Sequence, residues 1–209
     1  MTKILFSIAA LALMVSQASA NLITVSGGGL PTRKVSAAES AGAGAAPVDG
    51  DVYHFRVTTD GDILSVFGVQ VALDGGATLY NNAFGDASNA NPGNSALFGA
   101  FPALAADSWI TTPSSTTSRL GPDLPGDGAN TTFGDLTSDG PQQDFLFAQL
   151  TVPAGTTGLF TGSISILGSD GNPYDQAFSG IIGIPEPASI AMAGMGLIGM
   201  ISVARRRKA

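Results

Sequence analysis

The chain has no cysteine, so neither disulfides nor thiolate metal sites can contribute to its stability or chemistry. It has one histidine, His54, which excludes multi-histidine zinc and copper centres. A Ser-His-Asp triad would have to use that histidine, and no G-x-S-x-G accompanies it. Basic residues are scarce as well, with nine Lys and Arg against sixteen Asp and Glu and a formal charge of −7. Five of those nine sit at the chain ends, as Lys3 and Arg205, Arg206, Arg207 and Lys208. Between the ends, fifteen acids face only Arg33, Lys34, Arg56 and Arg119, a charge of about −11. Such a surface repels phosphate backbones, and no nucleic-acid partner is expected.

Both ends read as targeting segments. Met1-Thr2-Lys3 is a short positive start, and Ile4 to Val15 is an uncharged apolar run. Ala18 and Ala20 then place small residues where signal peptidase requires them. A core helix would carry a polar face, and this segment has almost none. The expectation is a signal peptide over 1–20, leaving Asn21 as the first mature residue.

At the other end, Pro185-Glu186-Pro187 precedes an uncharged stretch from Ala188 to Ala204, and the basic cluster Arg205, Arg206, Arg207, Lys208 follows. A helix can begin just after the prolines. Seventeen helical residues span about 25 Å, slightly less than the ~30 Å of a hydrocarbon core. The basic side chains can reach the headgroups, and their charge favours the cytoplasmic side. Ile190, Leu197, Ile198, Ile201 and Val203 together favour insertion by only about 2–3 kcal/mol. The reading is a transmembrane helix over 188–204 that acts as a transient handle, with an ordinary tail anchor as the alternative.

The order Pro-Glu-Pro, apolar helix, basic terminus resembles a PEP-CTERM sorting signal over 185–209. The resemblance implies recognition by an exosortase, a membrane-embedded transpeptidase, and removal of the tail. Carriers of such signals are exported by bacteria that make exopolysaccharide. The implied localisation is insertion in the inner membrane before processing, then the cell surface or extracellular matrix. The implied partners are signal peptidase, the exosortase-type transpeptidase and exopolysaccharide.

What remains is 21–184. Residues 21–50 are rich in Ser, Gly and Ala and read as a flexible low-complexity segment with a possible first strand at Leu22–Val25. From Asp51 to 184 the texture is that of a β domain. Tyr53, Phe55 and Val57 alternate with His54 and Arg56. Ile63 to Leu73 forms a long second strand after the Asp60-Gly61-Asp62 turn. Residues 81–142 are loop-rich, with an apolar island at Ala96 to Ala106 suited to covering the end of a sheet and a short strand at Trp109-Ile110. A loop of that length inside a domain implies further short strands. Strands return at 144–152, at 158–167 with Ile164 and Ile166 inward, and at 176–182. No segment between the ends has a helical period, so the fold class is all-β, an antiparallel β-sandwich. The Leu146 to Gly168 texture resembles cohesin-like or jelly-roll-like carbohydrate-binding sandwiches.

No catalytic residue is expected. Glu39 is the only glutamate outside the tail, and most aspartates adjoin glycines in turns, where they serve backbone hydrogen bonds. Weak calcium candidates are Asp60, Asp62, Asp170 and Asp175, whose spacing does not match an EF-hand; no other cofactor is expected. Trp109, Tyr53, Tyr80 and Tyr174 are candidates for a sugar-stacking platform. The expected function is a non-enzymatic, exopolysaccharide-associated surface or matrix protein. A carbohydrate-binding module and, further off, a divergent hydrolase are the alternatives.

Overall fold

The computed structural model describes residues 23–41, 48–82, 92–114, 118–120, 131–134, 137 and 139–183. Within them the chain forms ten strands and one short helix, and every strand pairing is antiparallel. The strands are β1 (Ile23–Gly27), β2 (Arg33–Val35), β3 (Gly50–Thr59), β4 (Asp62–Leu73), β5 (Trp109–Ile110), β6 (Ser118–Leu120), β7 (Thr131–Gly134), β8 (Phe145–Pro153), β9 (Gly158–Leu167) and β10 (Pro173–Ile182). The helix, α1 (Ala37–Ser40), is N-capped by Ser36, whose hydroxyl accepts the Glu39 N–H.

One sheet runs β1-β3-β8-β5, with β2 paired to the same side of β3 as β1. The other runs β10-β9-β4-β7-β6. Their inner faces share one apolar core, as the alternation of β3 requires: Tyr53, Phe55 and Val57 are at most 2% exposed. From the opposite sheet come Val66, Val71, Phe160, Ile164 and Ile166, all fully buried. The Phe55 and Phe160 rings meet at 4.7 Å between centroids, and Phe160 meets Phe178 edge-on at 5.1 Å. Each such ring contributes about 1.5–3 kcal/mol through burial.

Two strands depart from simple alternation. Opposite β3, a bulge between Phe55 and Arg56 lets the successive residues Phe147 and Ala148 of β8 both enter the core. β4 is irregular against β9 at Phe67 to Gln70, so that Val66 and Val69, three apart, both face inward.

The Ser/Gly/Ala-rich composition of 26–50 suggests flexibility, yet its described part is built into the first sheet. The glycines after β1 are bonded through the backbone: Gly28 N–H to the His54 carbonyl at 3.2 Å, and Gly29 N–H to the Ile181 carbonyl at 2.6 Å. The chain thereby bridges from the first sheet to the edge of the second. The expected strand at Trp109-Ile110 is present as β5. The island around Pro102–Ala106 is a 3-10 turn that covers the outer face of the first sheet rather than the end of a sheet. Its Ala106 packs with Val35, Val52 and Tyr80 in a second, smaller core. The final strand starts three residues earlier than its hydrophobic pattern implies, at Pro173, because the turn before it is tight.

Candidate functional site

The C-terminal segment leaves the domain from β10, whose register with β9 is continuous from Pro173↔Leu167 to Ile182↔Gly158. Ile182 is fully buried, and the Ile181 carbonyl accepts the Gly29 N–H. The strand is therefore paired with β9 to its last residue, and its outer edge is tied to the β1–β2 connection at Ile181. Gly183 follows in the left-handed region at φ +63°, and a Cβ there would lie 2.4 Å from the Thr156 carbonyl oxygen. Only glycine makes this turn without displacing the β8–β9 loop. The exit is thus a fixed point on the domain, one residue before Ile184.

The carboxylates expected to be calcium candidates occupy the opposite end of the domain. The β3–β4 turn holds Asp60 and Asp62, and Asp62 Oδ1 accepts the Gly140 N–H. Thr59 Oγ1 donates to the Gly61 carbonyl at 2.7 Å and accepts the Gln142 N–H at 3.2 Å, joining that turn to the 139–142 loop. Asp60 is half-buried and keeps one oxygen without a partner. Across the same end, Asp170 accepts the Tyr174 hydroxyl at 2.5 Å and the Asn172 backbone and side-chain N–H groups at 3.0 and 3.1 Å. These donors, the Tyr174 hydroxyl foremost, hold the Asp170 carboxyl at about 2. Asp175 is exposed on β10 opposite Ser165. Among the described residues, no group of three or more acidic or histidine side chains could hold a metal ion. Asp62 and Asp170 here serve turn geometry.

His54 lies on the outer face of the first sheet, its Nε2 at 2.9 Å from Gln149 Oε1. Gln149 in turn donates to the carbonyls of Ala105 and Asp107 at 3.0 and 2.7 Å, so the pair fastens the covering turn to the sheet. The aromatic candidates do not form a platform. Tyr53, Tyr80 and Trp109 are buried, at 2%, 4% and 7% exposure, and only Tyr174 is open at 37%.

Asp51 stands in Asp49-Gly50-Asp51, which in sequence reads as a loop of clustered oxygen donors. The structure puts it in β3, on the inward phase of Tyr53 and Phe55, at 6% exposure. Extending the Tyr53, Phe55, Val57 alternation back by two residues is the signal that finds it.

Ala18, Ala20, Pro185, Glu186, Pro187, the helix expected over 188–204 and the Arg205 to Lys208 cluster lie outside the described residues. Among the described residues, no helix is long and apolar enough to cross a membrane. Residues 183–208 match the model of the PEP-CTERM protein-sorting motif. The chain carries a PEP-CTERM sorting motif. The match opens at Gly183, the residue where the described domain ends. A PEP-CTERM motif implies export across the membrane, processing by an exosortase and sorting to the cell surface. No curated protein and no solved structure matches the chain.

Proposed function

We propose that this is a non-enzymatic exported protein whose β domain is released by two cuts and retained in an exopolysaccharide-containing matrix. Signal peptidase cuts after Ala20. The 188–204 helix then holds the precursor in the inner membrane, with Arg205 to Lys208 on the cytoplasmic side. The exosortase cuts near Pro185–Pro187 and discards the helix. The domain it leaves is read as a β-sandwich of the cohesin-like or jelly-roll-like kind, a reading supported by two antiparallel sheets facing across one core.

The observation that carries this proposal is the junction at Gly183. The sorting motif opens where β10 ends, so a cut at Pro185–Pro187 leaves β10 and every described core side chain on the domain. The acidic surface suits a hydrated, extracellular setting.

The test is the intact mass and the terminal peptides of the native protein from the extracellular fraction. The expected chain starts at Asn21 and ends near Pro185–Pro187. A chain that keeps Arg205 to Lys208 in the membrane fraction overturns the sorting step. Cleavage of a polysaccharide or peptide library by the purified chain overturns the non-enzymatic part.

A further inference from the structure

Very little chain joins the domain to the apolar run of the sorting motif. Gly183 is fixed on the domain, and only residues 184–187 separate it from Ala188, where that run begins. The steps from Gly183 to Ala188 reach at most about 18 Å, and the headgroup layer takes about 5–8 Å of that. A domain of this size has a radius of gyration of about 15 Å. While the tail is inserted, the exit end of the domain must therefore face the membrane at close range.

What that end presents is apolar. Ile181 and Leu159 are cross-strand partners on β10 and β9, 52% and 49% exposed. Their neighbours Ile182 and Phe160 fill the inner face, so alternation puts the pair on the outer face of the second sheet. Leu30, 71% exposed, follows Gly29, whose N–H is bonded to the Ile181 carbonyl. Leu30, Pro31 and Gly183 line one cleft, which places Leu30 beside the point where the tail departs. Ala72, exposed on β4 as the partner of Leu159, extends the patch. Single exposed apolar side chains are ordinary on a protein surface, but three large ones gathered around a tether are not.

Charge does not account for the gathering. Lys34 is exposed at this end, and so are Asp49 and Asp74, both bonded through the backbone to the β8–β9 turn. An acidic domain has no electrostatic reason to approach anionic headgroups, so an attraction must come from the apolar side chains. The tether makes a weak contact sufficient, because it turns docking into an intramolecular event. We infer that, before processing, the exit end of the domain docks on the phospholipid surface through Leu30, Leu159 and Ile181. Docking holds Pro185–Pro187 at the bilayer surface, where a membrane-embedded exosortase acts. Once the tail is cut the tether is gone, and the contact no longer retains the domain.

Docking rests on the reading of 188–204 as an inserted helix, and the two fail separately. The chain has no cysteine, so a single introduced cysteine carries a fluorophore at a chosen position of the full-length protein. Ala72→Cys, Asp175→Cys and Ala191→Cys chains are reconstituted in vesicles of phosphatidylethanolamine and phosphatidylglycerol. Some of the lipids carry a nitroxide quencher near the top of the acyl chain. Position 175 lies on β10 about 26 Å from Gly183. A loss of fluorescence is expected at 72 and 191 and none at 175. Adding Leu30→Ser and Ile181→Ser should abolish the loss at 72 and leave that at 191. Loss at 191 without loss at 72, or equal loss at 72 and 175, would overturn docking and leave the inserted helix standing. No loss at 191 would overturn both. A loss at 72 that survives the serine pair would mean that the tether alone sets the distance, which also overturns docking. An emission change at 72 that grows with chain concentration in detergent would assign the patch to a second copy and overturn the lipid contact.

Discussion

The two ends of the β domain use aspartate in different ways. At the β9–β10 end, Asp170 is exposed and collects three donors from its own turn, and Asp62 takes the Gly140 N–H. At the exit end, Asp51 is buried, accepts the Gly155 N–H with one oxygen and keeps the other unpartnered. In sequence both sites are aspartates beside glycine. The difference lies in what the fold brings to the carboxylate. Asp170 finds its donors within four positions, whereas Asp51, on the inner face of β3, takes one donor from the distant Gly155 N–H and keeps one oxygen open.

The contrast can be pressed hardest through Phe55, whose ring underlies the exit end. It lies against Phe160, and a Cβ on Gly180 would be 2.3 Å from its Cε1. Phe55→Ala should cost about 3–5 kcal/mol in chemical denaturation. A loss under 1 kcal/mol would mean that the two sheets are not joined there as described.

Gly183→Ala is expected to have the next largest effect, about 1–3 kcal/mol, because the substituted residue must hold φ +63° and push back the Thr156 carbonyl. Thermal unfolding of the two chains side by side measures it. An unchanged melting temperature would show that the exit is not a fixed point, and the junction argument would lose its force.

The smallest effect belongs to the other end. Asp170 has a folded pKa of about 2, below its ordinary value of 3.8. A depressed carboxylate contributes stability that is complete above about pH 4 and is lost as pH falls through 2. Carbon-detected titration of Asp170 should therefore give a midpoint near 2, and Tyr174→Phe should move it upward. A midpoint near 4 in the parent chain would remove the distinction between the donor-saturated Asp170 and the unsaturated Asp51.

Much of the fold was legible in period-2 alternation. Tyr53, Phe55 and Val57, and later Ile164 and Ile166, are buried as their spacing requires. Where a strand carries a bulge, alternation fails, and consecutive Phe147 and Ala148 both turn inward. The glycine run after β1 misleads for a related reason. Gly28 and Gly29 have no side chains to bury, but their N–H groups find carbonyls on both sheets, a long-range outcome that composition does not encode. Tyr53 and Trp109, weighed as members of a stacking platform, are buried in the folded domain at 2% and 7% exposure.

The sequence by itself determined the sorting motif, the antiparallel strand content and the acidic character, because each depends on residue type and local spacing alone. Only the tertiary structure decided that β10 is held to its last residue before the motif opens. It alone decided, too, that Leu30, Leu159 and Ile181 gather at the exit. Both outcomes depend on strands far apart in the chain being brought edge to edge, where long-range pairing, rather than local preference, chooses which groups meet.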